Sequence, residues 1–133
     1  MNDRKEPLGE LIAAIECGDT EAVRRLLVAS DVNAVDVRPV VGCGYSLLHY
    51  AVDADHLDAI SLLLEAGAIV DGQDATGATP LWRACNGGRL TAAKMLLAAG
   101  ADPNARNQEG YSCLGRVNQG ELAALLRSHG GEL

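Results

Sequence analysis

Apolar and polar residues alternate along this chain in short blocks with a helical period. Leu90, Ala93, Met95, Leu96 and Leu97 give a helix its apolar stripe, with the polar Thr91 and Lys94 set among them. Adjacent leucines close three such blocks, at Leu26-Leu27, Leu63-Leu64 and Leu96-Leu97. Gly67 and Gly100 follow the last two pairs, where a left-handed cap ends a helix. Thr79 stands before Pro80; its hydroxyl suits an N-cap, and proline at the first helical position loses no hydrogen bond. Gly-Ala-Asp-Pro-Asn, ending at Asn104, reads as the entry to a turn. Residues 8–27 read as a helix pair turning at Gly18-Asp19.

The blocks recur with a fixed period. Gly44, Gly77 and Gly110 are 33 residues apart, and so are Leu48, Leu81 and Leu114. Ser46, Thr79 and Ser112 keep the same spacing, as do the pairs Gly67/Gly100 and Leu64/Leu97. Several residue types in one phase mark an internal repeat, and a unit of this length is a supersecondary element that buries its apolar face only against a neighbour.

The middle unit runs from Asp74 through Thr79-Pro80-Leu81-Trp82 and Asn86-Gly87-Gly88 to Leu96-Leu97 and Gly100-Ala101. It resembles the ankyrin repeat: a hairpin, a first helix opened by Thr-Pro-Leu-His, a Gly-His turn, and a second helix ending Leu-Leu-x-x-Gly-Ala. The unit before it, with Ser46-Leu47-Leu48-His49 and Asp55-His56, carries both family histidines. The resemblance covers residues 8–130. It implies an all-α solenoid of stacked helix-turn-helix units with short hairpin loops, forming a single domain. Residues 8–34 are expected as the N-terminal cap, 41–73 and 74–106 as full repeats, and 107–133 as a degenerate C-terminal cap. Gly18 precedes its counterpart Asp55 by 37 residues, so the first hairpin, within 35–42, should be enlarged. Gly100 and Gly130 are only 30 apart, and the loss is expected near 118–121; Gly115 stands where the family has histidine.

Composition narrows the function. Hydrophobic residues make up 48% of the 133 and aromatics only 3% (three Tyr, one Trp, no Phe), so the core must be thin and built of Leu, Ala, Val and Ile. A formal charge of −7 argues against nucleic acid or an anionic membrane as partner and leaves a basic protein as a natural one. The charge is unevenly spread: −3 over residues 1–38, −6 over 39–82, which hold no Lys or Arg, and +2 over 83–133. No signal-like leader and no long apolar run is visible, and the four cysteines form no CxxC pair. Reduced thiols in a cytoplasmic protein are the expectation.

The chemistry-bearing residues favour structural roles. His49 and His56 fill the family's histidine positions, where the ring ties loop backbone together; His129 stands alone near the C-terminus. Cys85 takes an alanine position and Cys113 the proline position, and neither has a histidine in reach as a base. No cysteine or histidine spacing matches a zinc site. Asp53, Asp55 and Asp58 lie at helix ends, and Asn86-Gly87-Gly88 lacks the Lys-Ser/Thr of a phosphate loop. No cofactor, metal or catalytic constellation is expected.

All four aromatics, Tyr45, Tyr50, Trp82 and Tyr111, fall in the hairpin or first-helix half of their units. The resemblance implies that this half lines a concave face. Tyr45 and Tyr111 share one phase and should project into water. Trp82 is either an anchor for a partner or a ring filling the stack. The candidate face is Tyr45, Tyr50, Asp53, Trp82, Arg83, Asn86, Glu109, Tyr111 and Arg116. The expected function is non-catalytic protein binding by a chain that is monomeric when unbound. Its sharper form is an acidic inhibitor or immunity-type protein that neutralises a basic toxin or enzyme; the alternative is an adaptor or regulatory subunit.

Overall fold

The structure is a computed structural model, and it describes residues 6–28, 35–36, 44–117 and 120–131. Its helices come in antiparallel pairs: α1 (Glu6–Cys17) with α2 (Thr20–Leu27), α3 (Leu47–Asp53) with α4 (Leu57–Glu65), α5 (Pro80–Asn86) with α6 (Leu90–Ala98), and α7 (Cys113–Arg116) with α8 (Gly120–Ser128). The first helices stack as one row, α1 on α3 on α5 on α7; the second helices form the other, α2 on α4 on α6 on α8. Strands β1 (Val35–Asp36) and β2 (Tyr45–Ser46) pair antiparallel ahead of α3, Val35 opposite Ser46. They form the base of the hairpin expected to be enlarged; residues 37–42, which would carry the enlargement, lie outside the described residues.

The leucine blocks become a continuous core between the two rows. Leu11, Ile15, Val23, Leu47, Leu48, Ile60, Leu63, Leu81, Leu96, Leu114 and Leu126 are fully buried, with Ala51, Ala59, Ala84, Ala92, Ala93 and Ala123 between them. Small residues at these points let helix axes of adjacent units approach to roughly 8–10 Å. Each first helix from α3 onward opens with a hydroxyl cap at the same phase. Ser46 accepts from the amide of His49, Thr79 from that of Trp82, and Ser112 from that of Gly115. Asp58 sits in the first turn of α4, as its charge favours.

The C-terminal unit is short for a reason the helix lengths reveal. α8 keeps the nine residues of α4 and α6, whereas α7 has four in place of the seven of α3 and α5. The missing turn is therefore taken from the end of the first helix. Of the expected position, 118–119 lies outside the described residues.

Successive hairpins are bonded side by side. The Gln108 amide donates to Thr76 O at 2.9 Å, and Gln108 Nε2 to Ala75 O at 2.8 Å. Gly77 makes this approach possible. Its φ is +80°, and a Cβ there would stand 2.8 Å from the Gln108 nitrogen. Gly67 shares the left-handed conformation, at +94°, but faces open space. Gly67→Ala should therefore cost only the backbone strain, about 1 kcal/mol. Gly77→Ala adds a backbone collision and should cost about 2–3 kcal/mol. Urea denaturation of the two variants checks the difference.

Candidate functional site

The first helices and hairpins carry a connected run of side chains along one side of the stack. Its centre is the Tyr45 ring, which stacks on His49 (centroids 5.3 Å apart, 28° between planes) and meets Tyr50 edge-on at 5.2 Å. The Arg83 guanidinium, from the next unit, sits 4.7 Å from the centre of the Tyr45 ring. Tyr45 is therefore half-buried rather than projecting into water, because its neighbours in two units cover it. Burial, and then the Asp53 carboxylate to which it is hydrogen-bonded, push the Tyr45 phenol well above its ordinary range.

Arg83 is itself held. Its Nε and a terminal nitrogen donate to Asp74 Oδ2 at 3.3 and 3.2 Å, and the Asp74 side chain is fully buried. Oδ1 of the same carboxylate accepts from the Thr76 hydroxyl (2.6 Å), the Thr76 amide (2.9 Å) and the Ala78 amide (3.0 Å). Burial alone would raise this carboxyl. The Thr76 hydroxyl, the two amides and the guanidinium outweigh it and hold the group below its usual range. One unit later Asn107 repeats the turn with a neutral amide: Oδ1 accepts from Glu109 and Tyr111.

His49 joins two units. Its Nδ1 accepts from the Ser46 amide (3.2 Å) and faces the Ser46 hydroxyl at 2.8 Å; its Nε2 donates to Ala78 O, 2.8 Å away in the next hairpin. These partners require the neutral ring with its proton on Nε2. Burial pushes the imidazole below its ordinary value, with Asp74 and Asp53 opposing and Arg83 assisting. Trp82 lies 33 residues on and bridges in the same way, donating Nε1–H to Tyr111 O at 3.0 Å. Trp82, at 9% exposed, thus fills the stack, while its edge still lines the surface. His56 reaches back to the N-terminal unit, with Nδ1 3.2 Å from Ile15 O and Nε2 3.1 Å from Thr20 Oγ1.

Two open concavities flank Arg83. One, of about 240 Å³, is lined by Thr76, Trp82, Arg83, Asn86, Asn107, Glu109 and Tyr111. The other, of about 330 Å³, is lined by Glu16, Tyr45, Tyr50, Asp53 and Ala54. Eight of the nine candidate residues named from the sequence fall in these two hollows; the side chain of Arg116, in α7, lies outside what the structure describes. Tyr111 is 47% exposed and projects as expected. Glu16, Thr76, Asn107 and Asp74 were missing from the sequence-based set. Glu16 was findable, since it precedes Asp53 by the same 37 residues that separate Gly18 from Asp55.

The remaining chemistry-bearing groups are structural or solvated. Cys85 and Cys113 are buried in contact, and the hydrogen bond between them, with burial, pushes the Cys85 thiol far above its ordinary range. Cys17 is exposed, and Cys43 lies outside the described residues. Among the described residues no three of His, Cys, Asp and Glu gather as a metal would require, and no helix is long and apolar enough to cross a membrane.

A stack of helical hairpins of this kind is the architecture of a repeat-built interaction module. The profile of the family "Ankyrin repeats (3 copies)" matches residues 11–107, and the chain belongs to the ankyrin repeat family. Repeats of this family are protein–protein interaction modules, generally without catalysis of their own. The chain is 38% identical over 96 residues to protein phosphatase 1 regulatory subunit 27 of Mus musculus, covering 72% of this chain and 60% of that protein. It is 39% identical over 107 residues to the palmitoyltransferase Hip14 of Drosophila melanogaster, covering 79% of this chain and 16% of that one. With the ankyrin repeat and KH domain-containing protein mask-1 of Caenorhabditis elegans it shares 38% over 98 residues, 71% of this chain and 4% of that protein. The chain thus spans from 4% to 60% of the length of these relatives.

Two outcomes are expected from the bridging rings. His49 has a lowered native pKa, so its contribution is complete above the ordinary value of 6.5 and is lost as pH falls below it toward the native value. Stability measured by urea should fall over that window, and His49→Gln, which keeps a donor but does not titrate, should flatten the slope at a cost of about 1 kcal/mol. Trp82→Phe removes the donor to Tyr111 O and should cost about 1–2 kcal/mol, read by thermal melting followed by circular dichroism.

Proposed function

We propose that this chain is a protein-binding module that grips a partner along the face carrying Tyr50, Asp53, Arg83, Asn86, Glu109 and Tyr111, and that the partner presents a basic segment there. The observation that carries the reading is the pair of adjacent hollows: rings wall both, and Arg83, pinned by Asp74 between them, keeps the ridge in place. Pre-set side chains of this kind lose little entropy on binding, and Tyr, Trp and Arg are the residues most often found as anchors. The −6 of residues 39–82 favours encounter with a cationic surface.

The biological role we infer is regulatory, through occupancy rather than chemistry. The likeness to a protein phosphatase 1 regulatory subunit, of which 60% is matched, supports that role. The acidic block supports one specific form of it, an inhibitor or immunity-type protein that occludes a basic toxin or enzyme. In this reading the chain works in the cytoplasm, where its sparse cysteines stay reduced, and it is a monomer until it meets its partner.

A photo-crosslinking residue at position 111, compared with one at Lys94 on the outer helix α6, tests the reading. The partner should be captured from position 111. Capture from position 94 alone would overturn the proposal. With that partner, Tyr111→Ala and Asp53→Lys should each weaken binding by roughly ten-fold, and more salt should weaken the wild type. Tyr111→Ala is cleaner than Tyr45→Ala, which would also strip the cover from His49.

A further inference from the structure

We propose that the hollow between the first two units, walled by Glu16, Tyr45, Tyr50, Asp53 and Ala54, is a seat for one arginine side chain of the partner. This rests on the reading that the concave face binds protein, and it names the group that face selects.

Glu16 ends the exposed edge of α1, and Asp53 holds the equivalent place in α3. One unit further the same place is Asn86. The run of carboxylate, carboxylate and amide therefore puts two negative charges on this hollow, and among the described residues no cation lines it. Stacked helices stand roughly 8–10 Å apart, a gap that one flat cation bridges with a carboxylate on each side. The Tyr45 hydroxyl is spent on Asp53, which orients that carboxylate and leaves acceptor capacity on it. At about 330 Å³ the hollow lies at the lower end of ligand-site volumes, which run from about 300 to 1,000 Å³, so its occupant is a side chain rather than a helix.

The chain itself shows which cation such a surface takes. Beside the same tyrosine, Arg83 lies over the ring at 4.7 Å and bonds Asp74 through two nitrogens. The partner's arginine would find the carboxylate part of this combination in the hollow, with Glu16 and Asp53 as its acceptors. A guanidinium bonds carboxylates in a planar fork, whereas a lysine ammonium is a point charge that keeps its water.

The test is an amide-resolved NMR titration of the 15N-labelled chain with an acetylated, amidated Gly-Arg-Gly peptide. Its lysine and citrulline versions serve as controls; citrulline keeps the shape without the charge. Saturable shifts at Glu16, Tyr50, Asp53 and Ala54 are expected at millimolar peptide, as befits one side chain. The lysine peptide should bind roughly five-fold more weakly, and the citrulline peptide should leave these amides still. Glu16→Gln and Asp53→Asn should each weaken arginine roughly five-fold, while Glu65→Gln, an equal loss of charge on α4, should not.

Four results would overturn the seat: no shifts at these amides up to about 20 mM peptide, equal shifts with citrulline, equal affinity for lysine, or equal loss in Glu65→Gln. Solvated surface acids would give the last of these. Crosslinking from position 111 with a silent hollow would reject the seat and leave the face. Arginine shifts at the hollow with crosslinks from the outer row alone would reject the face.

Discussion

The structure depends on bonds that leave one unit and end in the next. A ring nitrogen of the first helix donates to a carbonyl in the following hairpin: His49 Nε2 to Ala78 O, then Trp82 Nε1 to Tyr111 O. Both donors are buried, so neither can exchange its partner for water without unstacking the units. The helices are short, seven and nine residues, and too short to be stable alone. Local propensity thus starts each helix, and the junction between units decides whether it persists. The same constraint explains the C-terminus. Gly115 occupies the ring position, so α7 sends no ring-to-carbonyl bond onward. α7 is correspondingly reduced to four residues, while α8 keeps the length needed to cover the core.

The proposed binding face grows out of this bridging. Placing a ring at the third position of α3 and α5 brings aromatic edges to the inner side of the stack, next to the hairpins. Tyr45 then stacks on His49, and Arg83 stacks on Tyr45, so the surface ridge is an extension of the core bond. Asp74 couples the two functions in one carboxylate: Oδ1 closes its own hairpin turn, and Oδ2 fixes Arg83. The Asn107 amide closes the next turn without that charge, which leaves the adjoining hollow to Glu109 and Tyr111.

Much of this was legible in the residues. The 33-residue phase, the hydroxyl caps at Ser46, Thr79 and Ser112, and the counterparts of Gly18 and Gly88 all sit in local patterns. Asp55 takes the same left-handed turn as those glycines, at φ +53°, which aspartate tolerates better than most residues. The features that sequence reading missed lie between units. Tyr45 was expected in water because its phase matches Tyr111. The two differ in their neighbours: Tyr45 has His49 and Arg83 beside it, while the unit that holds Tyr111 offers Gly115 at the ring position. The period says which residues are equivalent, and the neighbouring unit decides what each equivalent residue does.

That asymmetry gives the face a direction. Along the row of Glu16, Asp53 and Asn86, charge fades from the N-terminal units toward the middle. Exposed aromatic surface is greatest toward the other end, where Tyr111 is 47% exposed. A partner lying along the stack would meet acid and covered rings at one end, and an open ring beside Glu109 at the other. Charge acts over about 8 Å in physiological salt, so for such a partner the acidic end would govern approach, and contact with the exposed ring would govern how long the complex lasts. Four nearly equivalent units thus produce a surface whose two ends differ, because their equivalence ends at the side chains that cross the junctions.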